Sequence, residues 1–243
     1  MSKIRLRWAT GALTSAALLS GGASAAGAAG AANSSATPPT LPAVQAKAAA
    51  AITLRLNDLN AAVSRVNTAK HLADDAATLD GYLQRDLAPL QALGQKIAAD
   101  TNVTTAQADA ATIFTNFRVL ALVLPATRLA ASSDSVAHGS VPNLSADSAD
   151  AQAHVTAANQ AALAPLIANL NDEISAATGA TSGLAATVLA DTPAQWNSDH
   201  SLLSSARASL AGAGHDVKVG RADVHQIRDD VKPSATPTTP TTS

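Results

Sequence analysis

Apolar side chains recur every three or four residues along most of this chain, the spacing that gathers them on one face of an α-helix, and they do so in five segments. The first carries Ile52, Leu56, Leu59, Val63 and Val66, which predicts a helix over about 43–70, with Lys70 and His71 suited to the negative end of its dipole. Asp74 and Asp75 open the second, whose stripe is Leu79, Leu83, Leu90, Leu93 and Ile97. Pro89 falls inside that stripe; it removes one hydrogen bond and crowds the preceding turn, so a kink is expected near residues 85–89. The third begins at Thr104, which forms with Gln107 the T-x-x-Q of a capping box. It continues through Ala106, Ala110, Ile113, Phe117, Leu120 and Leu124, with Phe114 alongside, until Pro125 ends or bends it. "SSDSVAHGSVPN" reads as a connection. A fourth helix over about 145–178 carries Val155, Ala162, Leu166, Leu170 and Ile174 and holds Pro165 in its interior.

The fifth segment has the strongest signal. In "DTPAQWNSDHSLLSSARASL" Thr192 is an N-cap, Pro193 stands at the first helical position and Gln195 at the third, which satisfies the free amides of a helix start. Counted in sevens from Trp196, the residues Leu203, Leu210, Val217, Val224 and Val231 are all apolar; three positions after them fall Asp199, Ala206, Ala213, Gly220 and Ile227. A register kept for that long predicts one helix from 193 to 232, about 60 Å in length. Gly212, Gly214 and Gly220 oppose it, each costing about 1 kcal/mol relative to alanine, and a distortion is expected near residues 212–215. Arg207, Arg221 and Arg228 on one flank and Asp216, Asp223 and Asp230 on the other suit a helix–helix seam. The expected fold is all-α, an elongated antiparallel helical bundle of about five helices with a long C-terminal helix.

Composition sharpens this picture. About a quarter of the 243 residues are alanine and 2% are aromatic, so the core is built from Leu, Val, Ile and Ala, with little contributed by each alanine contact. Lys3, Arg5 and Arg7, the apolar residues 9–19 and the sequence Ala23-Ser24-Ala25 read together as a secretory signal peptide over 1–25. Residues 26–42 form an Ala/Gly/Ser/Pro linker, 43–232 the bundle domain, and 233–243 a Pro/Thr-rich tail expected to be disordered. Without residues 1–25 the chain holds 13 basic against 18 acidic residues, a net charge of −5, which excludes electrostatic binding of nucleic acid. It has no cysteine, so neither a disulfide nor a lipid-modified cysteine contributes.

Candidate chemistry is sparse. Ser198, Asp199, His200 and Ser201 are consecutive in a helical turn, so they fan around the axis and do not converge as nucleophile, base and orienting group. His225 and Asp229 share a face at i, i+4, with His215 and Asp223 nearby; they are candidate metal ligands if His71, Asp74 and Asp75 complete the set from another helix. Arg221 and Arg228 oppose a cation there. The acidic pairs Asp74-Asp75, Asp172-Glu173 and Asp229-Asp230 stand near expected helix ends, where acids cap or face water. Arg118 interrupts the apolar run "FRVLALVLP"; it either reaches along the core to a surface carboxylate or is buried with a specific partner. That run is too short to span a membrane. No phosphate loop, zinc-protease motif or G-x-S-x-G is present, no cofactor is expected, and the chain does not read as an enzyme.

The segments "ITLRLNDLNAAV", "FRVLALVLP" and "TPAQWNSDHSLLSSARASL", behind an alanine-rich signal peptide, resemble a loose group of secreted, alanine-rich helical proteins of high-GC actinobacteria. The resemblance spans residues 50–230. It implies export and conceivable O-glycosylation of the tail, and it carries no functional residue onto this chain. The resulting expectation is a secreted or extracytoplasmic helical bundle that works as a structural or interaction module with a protein or cell-envelope partner. It would have no stable membrane span after signal cleavage and could self-associate. The alternative is an extracytoplasmic protein that binds a small ligand or metal.

Overall fold

The alanine content and the three-to-four spacing are realised throughout: every regular element among the described residues is helical. The structure, a computed structural model, describes residues 38–69, 72 and 75–231. The expected signal peptide, residues 26–37 of the linker, the tail, His71 and Asp74 lie outside these residues. The chain divides into Met1–Pro38 and Pro39–Ser243, and the helices named below belong to the second unit.

Helix α1, Leu41–Thr68, takes in Leu41 and Pro42, which the sequence reading assigned to the linker. Proline is tolerated there because a first-turn amide has no intrahelical partner. The second segment is cut in two: α2, Ala76–Gln84, and α3, Leu87–Ala99, separate at the place where Pro89 predicts a kink, leaving Pro89 in the first turn of α3. Gln45 of α1 closes the far end of α3, its side-chain amide donating to the carbonyls of Ile97, Ala98 and Asp100 at 3.1–3.2 Å.

Helix α4, Val103–Thr115, corrects the expected cap. Asn102 caps it, accepting the Thr105 amide at 2.8 Å, while Thr104 and Gln107 lie inside the helix and face solvent. The chain then breaks at Arg118, whose backbone is left-handed (φ 46°) and whose carbonyl receives the amides of Ala121, Leu122 and Val123. A π-helical turn, Val119–Val123, leads into α5, Leu124–Ser135. The expected connection after α5 is instead helical: a second π turn, Val136–Ser140, continues into α6, Val141–Ala153.

The expected fourth helix is therefore α6 and α7, Gln160–Thr181, divided at residues 154–159, where Asn159 Oδ1 accepts the Thr156 amide at 2.7 Å. Pro165 sits within α7 on its exposed face, and the helix runs through it. After α8, Leu184–Ala190, the expected 40-residue helix is also divided, into α9, Pro193–Ser198, and α10, Ser204–Asp230. The capping box at Thr192 and Gln195 forms in full, with Pro193 behind it. The break falls at Asp199, the one charged residue on the apolar seam, whose carboxylate receives the Ser201 amide and hydroxyl at 2.8 and 2.6 Å. The distortion expected near Gly212 and Gly214 is not there; α10 is continuous across both.

Two regions hold the core. Around α1, the side chains of Leu59, Leu79, Leu83, Leu90, Ile97, Ile113 and Leu122 are fully buried, with α8, Trp196 and Leu203 closing the group. Between α6, α7 and α10 the packing is finer-grained: Leu144, Leu170 and Ile227 alternate with Ala151, Ala177, Ala213 and Gly220. A methyl group on Gly220 would stand 2.8 Å from Leu144 Cδ2 and 3.2 Å from Leu170 Cδ1, so the three helices meet where only hydrogen fits.

By length and composition one stretch, Val103–Ala153, would suffice to cross a membrane, although the expected apolar run within it was too short. The left-handed Arg118 interrupts it, and 39% of its most apolar window is buried inside the protein.

Candidate functional site

Alanines line the space between helices α1 and α4. The resulting groove, about 420 Å³, has Ala43, Ala48 and Ala51 on one wall and Ala110, Ala111 and Phe114 on the other. Lys47 and Gln107 also line it, and among the described residues no acidic one does. Phe114 is 48% exposed; Leu54, one turn beyond Ala51 on the same side of α1, is 51% exposed. Isolated exposed apolar residues are ordinary, whereas two beside one apolar groove form a patch.

Arg55 lies at the Phe114 end. It is only 7% exposed, with its guanidinium carbon 4.6 Å from the Phe114 ring centre and Nη1 donating to the Ala51 carbonyl at 2.7 Å. Nε is buried and has no hydrogen-bond partner. Burial lowers the pKa of Arg55 while nearby Asp58 raises it, and among the described residues the guanidinium forms no ion pair within 4 Å. The sequence reading missed this residue: in "TLRLNDL" the stripe of Ile52, Leu56 and Leu59 leaves Arg55 looking like a flank position.

A second grouping joins the start of α2 to the second π turn. Ligand atoms of Asp75, Asp134 and His138 lie within 4.8 Å of one another. Asp134 is buried, His138 is exposed, and His138 Nε2 approaches Asp75 Oδ2 at 3.9 Å. The extra residue of a π turn re-aims side chains on a helix, and such turns are frequent at functional sites. Of the residues proposed from sequence as ligands, Asp75 alone is in this group.

Among the described residues, the α10 candidates do not come together with another ligand group. His215, His225 and Asp229 are exposed on α10, and Asp223 is buried against α7, where it accepts Asn169 Nδ2 at 2.6 Å. Arg228 binds Asp147 and Asp150 of α6 at 3.1 and 3.0 Å, tying the seam at that end. Glu173 has a raised pKa, through desolvation first and then through Asp216, which hydrogen-bonds to it across the α7–α10 seam. Ser198, Asp199, His200 and Ser201 are all exposed, and the His200 ring meets Trp196 edge-on at 5.7 Å. Arg118 is half-buried and reaches an amide, where a carboxylate was expected: its Nε donates to Asn197 Oδ1 at 2.6 Å, and Asn197 Nδ2 donates to the Thr115 carbonyl at 3.0 Å. That pair fastens α9 to the end of α4.

No protein-family model, curated protein or solved structure matches this chain.

Proposed function

We propose that this chain is an extracytoplasmic, non-enzymatic helical bundle that works by binding at the cell envelope through the α1–α4 groove. One observation carries the reading: two of the three exposed large apolar side chains among the described residues, Leu54 and Phe114, stand beside an alanine-lined groove with a buried, incompletely bonded arginine at its end. Binding, not turnover, fits a groove in which no base, nucleophile and orienting group converge. A photoreactive residue in place of Leu54, on the exported protein in intact envelopes, is expected to give a discrete adduct, with none from the same residue in place of exposed Ser175 on α7. Equal labelling from both positions, or none from either, would overturn the reading.

A second reading, a divalent-cation binder, is favoured by the convergence of Asp75, Asp134 and His138. One imidazole with two carboxylates suits zinc or manganese. A metal that binds only the folded state at 100 times its dissociation constant adds about 2.7 kcal/mol of stability, so Zn²⁺ or Mn²⁺ is expected to raise the melting temperature of the native chain and leave that of His138→Ala unchanged.

A further inference from the structure

We propose that the α1–α4 groove takes a single-chain anionic amphiphile, its alkyl chain lying on the alanine floor and its anionic head held at the Phe114 end by Arg55. The inference rests on the groove reading above and names the class of occupant. The floor is the first reason. Ala48, Ala51, Ala110 and Ala111 present only methyl groups, with Val44 and Pro39 the larger aliphatic residues of the lining, so a thin, flexible, apolar ligand fills the groove where a folded partner's side chains would meet a shallow trough. From Arg55 to Ala43 is twelve residues of helix, about 18 Å, which matches an extended chain of roughly a dozen carbons.

Charge is the second reason. The charged residue lining the groove is Lys47 on its exposed rim, and the charged residue at its end is Arg55, between the groove-lining Ala51 and Phe114. Among the described residues this buried guanidinium has no ion pair within 4 Å and only the field of Asp58 beside it, a costly arrangement that a carboxylate or sulfate brought next to it relieves. A neutral lipid of the same length satisfies the floor and leaves Arg55 as it is, so the arginine selects for the anion.

The test is calorimetric titration of the full chain with dodecanoate, below its micelle concentration, beside dodecanol. One dodecanoate per chain is expected, bound at least tenfold more tightly than the alcohol. Ala111→Leu fills the floor at a solvent-facing position and is expected to weaken dodecanoate at least tenfold while the helical melt is unchanged. Arg55→Met keeps the apolar stem and is expected to erase the preference for the acid. Should that variant fail to fold, Ala111→Leu and the acid-to-alcohol ratio of the native chain still decide the matter. Absence of binding, equal affinity for acid and alcohol, or indifference to Ala111→Leu would each overturn the proposal. A protein adduct from Leu54 with no dodecanoate binding would overturn it while leaving the groove reading standing; loss of both would remove both.

Discussion

The helices around α1 and the trio α6, α7 and α10 face the same packing problem with different side chains. Around α1, fully buried leucines and isoleucines hold the helices at the separation large side chains require, and most of the hydrophobic stabilisation rests on a few residues. In the trio, alanines and Gly220 stand among buried leucines and let the backbones approach closely, so the fit of the seam matters more. Polar ties supplement it: Asn169 to Asp223, and Arg228 to Asp147 and Asp150. The lesson is one of tolerance. The first region is broken by making side chains smaller, the second also by making them larger at its closest approach.

The largest effect is expected from the first half of that contrast. Leu59 is wholly buried, and Leu59→Ala should cost about 3–5 kcal/mol, a fall of roughly 10 °C in melting temperature followed by circular dichroism. In the trio the sign depends on position. Gly220→Ala gains helix propensity of about 1 kcal/mol but drives a methyl against the Leu144 and Leu170 side chains, for a net loss of up to about 2 kcal/mol. Gly212→Ala, in the same helix with nothing within 4 Å, should stabilise by up to about 1 kcal/mol. Equal responses at the two glycines would remove the close-approach argument. The smallest effect is titratable and belongs to the α1 region. Asp86 is buried with one oxygen unbonded, and desolvation raises its pKa despite the Arg85 guanidinium beside it. The folded state then holds its proton to higher pH than the unfolded chain, so Asp86 weakens the fold at neutral pH and the penalty fades as pH falls through the folded pKa. Asp86→Asn should therefore be the more stable protein at pH 7, with the advantage shrinking towards pH 4 in parallel melts.

The stripes were legible because burial follows side-chain spacing: Ile52, Leu59 and Val66 of α1 and Val217, Val224 and Ile227 of α10 are buried as their periods require. Backbone continuity was not. The seven-residue count passes through Trp196 and Leu203, both buried, yet the helix breaks between them, because one tight turn preserves which side faces the core while ending the hydrogen-bond ladder. Asp199, the single charged member of the seam, was the available signal. The connection expected over "SSDSVAHGSVPN" failed for the opposite reason: its polar, Gly- and Pro-containing composition resembles a loop, but Ser133 and Asp134 are buried and Ser133 donates to the Thr181 carbonyl, so tertiary contacts hold it helical. The groove was invisible in sequence because its lining comes from two helices far apart in the chain, and Arg55 because an isolated arginine beside a stripe reads as a surface residue.

Of the two π turns that bracket α5, the second, Val136–Ser140, joins α5 to α6 without a break. A π turn is an α-helix that has absorbed one additional residue without shifting the helix on either side, so loss of one residue from Val136–Ser140 would restore an ordinary helix and leave α5 and α6 in register. What such a deletion would alter is the bearing of His138 towards Asp75 and Asp134. That convergence is thus separable from the fold: the scaffold could acquire it or discard it by a single codon.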